Sequence, residues 1–368
     1  MTCALLAAPS LVSAFIGTKG ETFTNDDGGS FYFSGTNAYY LMTQTQENVQ
    51  QILKQSASLN LPVIRTWLFN TGRTDIYFQK CTDGALEMND DDKTGLGRID
   101  YVIQQAQENN VKLIFALTNN WPDFGGMDDI TKCVGGTNHD DFYTNPDVIK
   151  AFKDYITHVL NRENKLTGIK YSEDPTIFGW ELANEPRCEG SNLPSSDNCS
   201  PDITTAWVDE ISSHIKSIDS NHLVGVGDEG FFNIPGEADY EYNGGPGMDF
   251  DATLALSSID FGTFHMYTDH WSKDNDKWPK KWIADHAASQ KSAGKPVLFE
   301  EYGYSKPSER TTLYPAWHAI IEDENIAADA FWQIAVPCSQ LDEYAICVDD
   351  ENIDTLVTTH ASNMLAKN

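Results

Sequence analysis

Ile177-Phe178-Gly179-Trp180-Glu181-Leu182-Ala183-Asn184-Glu185-Pro186-Arg187 is an apolar run that breaks abruptly into polar residues. Ile177–Leu182 has the length and the bulky side chains of a strand buried on both faces. Pro186 then ends regular structure. Further on, Trp207, Ile211, Ile215 and Ile218 recur at helical spacing, so Thr204–Ile218 is predicted to present one apolar helix face. The unit strand, polar turn, amphipathic helix repeats in both directions. Strands are predicted at Phe31–Tyr40, Val63–Phe69, Lys112–Thr118, Leu223–Gly227, Phe261–Met266, Val297–Glu301 and Ala330–Ile334. Helices are predicted at Gln46–Leu59, Arg98–Asn109, Asp147–Arg162, Lys280–Ser292, Thr312–Glu322 and Ile353–Ala366. Only the connection Phe231–Ser258, rich in Gly and Pro, reads as non-helical. Eight βα units predict an α/β fold, a single (β/α)8 barrel with its site at the C-terminal strand ends. The alternative is an open doubly wound sheet, but no G-x-G-x-x-G follows an early strand.

Composition narrows the function. The chain has 368 residues, with 25 Lys+Arg against 55 Asp+Glu and a formal charge of −30. Nucleic acid and anionic membrane surfaces are therefore excluded as partners. Aromatic residues make up 11 %, including 9 Trp and 15 Tyr, which rules out a disordered acidic chain and suits sugar ligands.

The predicted strand ends carry one coherent set of groups: Arg65 and Trp67; Asn119, Asn120 and Trp121; Asn184, Glu185 and Arg187; His265 and Tyr267; Glu300 and Glu301; Trp332. Glycosidic bond cleavage needs one carboxylic acid to protonate the leaving oxygen and a second carboxylate to attack carbon or activate water. Glu185 and Glu301, on opposite sides of a barrel mouth, meet that need. Strand alternation should send Glu300 and Glu301 to opposite sides, and likewise separate Glu185 from Asn184. Trp67, Trp121 and Trp332 offer flat apolar faces to sugar rings, with indole N–H groups free to donate.

Asn184-Glu185-Pro186, His265-x-Tyr267, Glu301-Tyr302-Gly303 and Trp332 together resemble glycoside hydrolase family 5. Gly35–Tyr40, Arg65-Thr66-Trp67, Asn119-Asn120-Trp121, Gly125-Gly126-Met127 and Phe261–Tyr267 resemble its fungal endo-β-1,4-mannanases in particular. Tyr40, where Trp is common, and Pro122, where Ser is usual, depart from that pattern. The resemblance implies that Glu185 is the acid/base and Glu301 the nucleophile of a retaining double displacement. It implies that Asn184 binds the sugar 2-OH, that Arg65 and Tyr267 keep Glu301 ionised, and that His265 positions the acid/base. Trp332 would lie under the reacting sugar, with Trp67 and Trp121 as further platforms and Arg187 reaching the leaving-group side. The implied substrate is β-mannan or manno-oligosaccharide. A cellulase or exo-acting β-mannosidase of the same family is the alternative, with loop Phe231–Asp251 the candidate to block one cleft end. A non-catalytic carbohydrate-binding barrel would not require both Glu residues.

No metal or other cofactor is expected. Asp90-Asp91-Asp92 with Gly95 lacks the bidentate Glu of a calcium loop, since Tyr101 holds that position. The apolar Met1–Ala14 reads as a signal-peptide remnant or a short buried strand, leaving 15–368 as one catalytic domain. Cys188/Cys199 and Cys338/Cys347 each bracket a short polar loop, which leaves Cys81/Cys133 as the third pair; buried free thiols are the alternative. Disulfides fit a secreted, extracellular protein, expected here to be monomeric. Asn198-Cys199-Ser200 is a glycosylation sequon that a bridged Cys199 would weaken.

Overall fold

The computed structural model describes residues 15–25, 27–72, 75–336 and 342–368. Eight parallel strands form one sheet: β1 (Phe33–Asn37), β2 (Val63–Trp67), β3 (Lys112–Ala116), β4 (Ile177–Glu181), β5 (Leu223–Gly225), β6 (Gly262–Met266), β7 (Val297–Tyr302) and β8 (Ala328–Phe331). Around it lie α1 (Gln46–Ser58), α2 (Gly97–Glu108), α3 (Pro146–Leu160), α4 (Pro201–Ile218), α5 (Phe250–Leu254), α6 (Lys277–Ala293), α7 (Pro307–Asp323) and α8 (Thr359–Leu365). Nearly every strand residue is buried, because helices cover the outer face and side chains fill the interior.

The ladder runs β6-β7-β8-β1-β2-β3-β4-β5. The β5/β6 seam closes without a ladder. There the Asp260 N–H donates to the Val224 carbonyl at 2.8 Å and the Val224 N–H donates to Asp260 Oδ2 at 2.7 Å. Close approach inside the barrel also dictates residue choice: a Cβ on Gly179 of β4 would fall 2.6 Å from the Leu223 carbonyl oxygen of β5. Helix starts follow their caps. Thr45 accepts from the Asn48 N–H to open α1, and Asn145 accepts from the Asp147 N–H ahead of Pro146 to open α3.

The N-terminal end of the barrel is an apolar plug. A hairpin, Gly17–Lys19 with Thr22–Thr24, inserts fully buried Phe23 among Phe33, Phe178 and Phe261, at centroid distances of 5.9, 5.1 and 5.7 Å. These residues form a cluster separate from the main core between sheet and helices.

Three sequence expectations change. The fifth connection is not wholly irregular, since it contains α5, opened by Asp249 accepting from the Ala252 N–H. The eighth strand begins and ends earlier than Ala330–Ile334, because Ile334–Ala335 pairs with Ile346–Cys347 outside the barrel. The last helix begins as a π turn, Asp354–Thr358, before α8. Disulfides Cys81–Cys133 and Cys188–Cys199 are present. Met1–Ala14, Cys3 and Cys338, expected to bridge Cys347, lie outside the described residues. Among the described residues, no helix is long and apolar enough to cross a membrane.

Candidate active site

Every residue singled out in the sequence for this site reaches the C-terminal mouth of the barrel. An open cleft is lined there by Trp67, Trp121, Asn184, Glu185, Arg187, Tyr267, Glu301 and Trp332, among others. Arg65 and His265 lie just beneath, fully buried, and bond to the residues on its floor.

Arg65 is the hub of that floor. Its Nη1 donates to Glu301 Oε1 at 2.5 Å and to Asn37 Oδ1 at 3.3 Å. Its Nη2 donates to Asn184 Oδ1 at 2.9 Å, and its Nε to Glu181 Oε2 at 2.7 Å. A planar guanidinium can satisfy this many acceptors at fixed angles, whereas an ammonium cannot. Tyr267 donates its hydroxyl to Glu301 Oε2 at 2.7 Å. On the other wall, Glu185 accepts from Trp121 Nε1 at 2.5 Å, and its Oε1 lies 2.8 Å from His265 Nδ1. One ligand atom each from Glu185, His265 and Glu301 falls within 4.8 Å of the others, so the two carboxyls face each other across a gap of that order.

Local backbone places these groups where simple alternation would not. Glu185 sits at φ 51°, in the left-handed region that a non-glycine residue occupies only when its surroundings hold it there. The turn brings both Asn184 and Glu185 to the cleft, contrary to the expectation that alternation would separate them. On β7 the register with β6 shifts: Phe264 pairs with Phe299, but His265 pairs with Glu301. Glu300 is the extra residue of this bulge, so it too turns inward. Its carboxyl meets Arg65 Nε at 3.3 Å and His265 Nε2 at 3.0 Å. The expectation that Glu300 and Glu301 take opposite sides is therefore overturned, although only Glu301 lines the cleft.

The electrostatics are equally particular. Burial works to raise the Glu185 carboxyl, but His265, Arg187 and Trp121 outweigh it and hold it down to about 2. Burial, with help from the Glu185 charge, keeps Glu301 above the ordinary carboxylate value despite His265, Arg65 and Tyr267. Arg65 and Tyr267 both act to lower it, in the expected direction, but burial outweighs them. Burial opposes the charge of His265, yet Glu301, Glu185 and Glu300 around it raise its affinity for a proton well above the usual.

A family model described as GH family 5 beta-mannosidase-like matches residues 13–335. The chain belongs to that family. Among its relatives, a probable mannan endo-1,4-beta-mannosidase C from Aspergillus terreus is 39 % identical, with 95 % of this chain and 92 % of the relative covered. Mannan endo-1,4-beta-mannosidase A from Podospora anserina is 37 % identical over 91 % of this chain and 87 % of its own. The crystal structure of an endo-1,4-beta-mannanase from Rhizomucor miehei superposes with a TM-score of 0.94 at 61 % identity, covering 96 % of this chain and 100 % of that one.

This family 5 cleft also holds groups that the sequence reading passes over. Asp342 accepts from Trp332 Nε1 at 2.9 Å and from Gln333 Nε2 at 2.9 Å. The indole donors of Trp332 and Trp121 are consequently engaged by protein carboxylates, not free for sugar as expected. Tyr39 stacks on Trp332 at 5.2 Å and 2°, backing one face of that platform. Glu229, beyond β5, pairs with Arg187, whose guanidinium lies between the rings of Trp121 (5.2 Å) and Phe231 (5.0 Å). Asn37 and Tyr39 lie within the Gly35–Tyr40 match but were given no role there, and Glu229 follows the fifth strand, whose end the sequence reading did not inspect. Asp342 lies in a loop with no motif to mark it.

Proposed function

We propose that this chain is a secreted mannan endo-1,4-β-mannosidase acting by retention, with Glu301 as nucleophile and Glu185 as acid/base. The observation that carries the reading is the close approach of Glu185 and Glu301 on one open cleft. Retaining glycosidases hold their carboxyls roughly 5–5.5 Å apart, whereas inverting ones leave room for a water. Glu301 is fixed by Arg65 and Tyr267, its two oxygens each taking one strong donor, so it faces the anomeric carbon in one orientation. In the first step Glu301 attacks that carbon while the leaving oxygen takes a proton from Glu185. In the second, Glu185 removes a proton from water, which displaces Glu301. Asn184, held by Arg65 Nη2 and donating to Asn119 Oδ1 at 3.0 Å, stands where the 2-OH of the reacting sugar would lie. Trp332 is the platform for that sugar, and Arg187 faces the leaving-group side.

Endo action is supported by the loop at 231–251, none of whose residues lines the cleft. The two disulfides support an oxidising, extracellular setting.

Product analysis tests the reading. Mannan should yield a ladder of manno-oligosaccharides with retained anomeric configuration, and cellulose should yield little. Glu301→Ala with azide should give an inverted glycosyl azide, and Glu185→Ala a retained one. Release of mannose alone, or an inverted first product from the wild type, overturns the proposal.

A further inference from the structure

Beneath the catalytic floor lies a second pair of carboxyls that does not touch the cleft. Glu181 on β4 and Glu300 on β7 are both fully buried and lie within hydrogen-bonding reach of each other. One cationic nitrogen stands between them: Arg65 Nε is 2.7 Å from Glu181 Oε2 and 3.3 Å from Glu300 Oε1. Glu181 Oε1 and Glu300 Oε1 accept no other hydrogen bond. Two bare carboxylate oxygens buried this close together are untenable, whereas one proton shared between the two carboxyls satisfies both.

The same logic applies one step further out. His265 has a carboxyl on each ring nitrogen, Glu185 Oε1 at Nδ1 and Glu300 Oε2 at Nε2. Each of those contacts needs a proton on the bridge, and with Glu185 held ionised by the Trp121 indole and the Arg187 charge, and Glu300 by Arg65, the imidazole supplies both only as imidazolium. Glu181, Glu300, His265 and Glu185 thus form one unbroken chain that runs from the buried floor to the acid/base at the cleft.

We infer that Glu181 is the neutral member of a proton-sharing pair, that Glu300 is its ionised partner, and that Glu300 keeps on His265 the proton that Glu185 delivers to the leaving oxygen. This rests on the assignment of Glu185 as acid/base. In the resting enzyme the proton is on Nδ1 of His265 and Glu185 is ionised. As the glycosidic bond lengthens, the Nδ1–H bond breaks and a Glu185 O–H bond forms. Glu185 passes its proton to the departing oxygen, Glu301 bonds to the anomeric carbon, and His265 is left neutral with Nε2–H on Glu300. In the hydrolytic step the proton from water returns through Glu185 to Nδ1. Glu300 and Glu181 are positioning residues: they touch no substrate and act through the charge of His265. Glu301, Asp228 and Glu229 also bear on that charge from neighbouring strands, and the Trp282 indole fixes the His265 carbonyl at 2.8 Å. Arg65 and Arg187 are the cations that oppose them.

The basic limb of the kcat/KM profile reports loss of the proton shared by His265 and Glu185. Glu300→Gln removes a negative charge from Nε2, and the limb should fall by about one pH unit or more. Glu300→Asp should restore it. Glu181→Gln mimics a protonated carboxyl, so the limb should keep its position whatever happens to the rate. A fall in Glu181→Gln equal to that in Glu300→Gln, or an unmoved limb in Glu300→Gln, overturns the inference. Infrared difference spectra of the wild type minus Glu181→Gln at neutral pH give a reading independent of catalysis. Loss of a carboxylic-acid C=O band supports the pair, and loss of a carboxylate band refutes it. The azide products of Glu185→Ala test the acid/base assignment itself, so the two failures are distinguishable.

Discussion

The two ends of this barrel are built from the same eight strands but follow opposite rules. At the N-terminal end Phe23, Phe33, Phe178, Phe261 and their neighbours form a buried aromatic plug. At the C-terminal end Glu181, Glu300, Glu301, Asp228 and Glu229 are buried within reach of Arg65, Arg187 and His265. Burial of apolar surface stabilises any fold, whereas burial of like charges opposes it and persists only where hydrogen bonds compensate. One end holds the barrel together, and the other uses part of that stability to keep reactive carboxyls in place.

The comparison is broken most directly at the mouth. Glu301→Ala should lower kcat by at least about four orders of magnitude, or roughly 5 kcal/mol of barrier, while thermal melting stays the same or rises. A collapse of the fold would show that the mouth stabilises the barrel after all. Its counterpart is Phe23→Ala, which should lower unfolding free energy by up to about 5 kcal/mol in denaturant titrations. The folded fraction should keep its kcat, and a large loss there would mean that the plug transmits strain to the site.

Asp228 sharpens the account through pH. Burial is the main cause that lifts its carboxyl from 3.8 to about 7, with Thr263 and His265 opposing. The folded state therefore binds more protons than the unfolded chain between those values, and stability falls as pH rises through that window. The loss amounts to about 4 kcal/mol above pH 7. Asp228→Asn should flatten melting curves collected from pH 4 to 8, and an unchanged slope would assign the loss to other groups. The smallest effect belongs to the Cys188–Cys199 staple, which closes a loop of sequence separation 11. Cys188→Ala with Cys199→Ala should cost about 2–3 kcal/mol, measured by the same titrations, chiefly by freeing the unfolded chain.

The barrel was legible because burial on both faces of a strand writes an apolar run such as Val63-Ile64 or Val297-Leu298-Phe299, and amphipathic helices write their spacing between those runs. Glu185 and Glu301 were legible because each follows such a run. The inward turn of Glu300 was not, since a bulge depends on how β7 meets β6, and no local pattern records a register between strands. Partner choice was hidden for the same reason. Trp121 donates to Glu185 across 64 positions of sequence, and Trp332 to Asp342 across a loop. The short β5 also hid Glu229, because only three residues of ladder precede it.

The tether from Trp332 to Asp342 has an evolutionary consequence. Glu301 belongs to β7 and Glu185 to the turn that follows β4, but the Trp332 indole takes one anchor from Asp342, in a connection whose Ile334–Ala335 pairs with Ile346–Cys347. Insertions or exchanges in that connection can tilt the indole without disturbing Glu185 or Glu301. Lineages descended from such a barrel can therefore drift toward new sugars by rewriting a loop while inheriting the reaction intact.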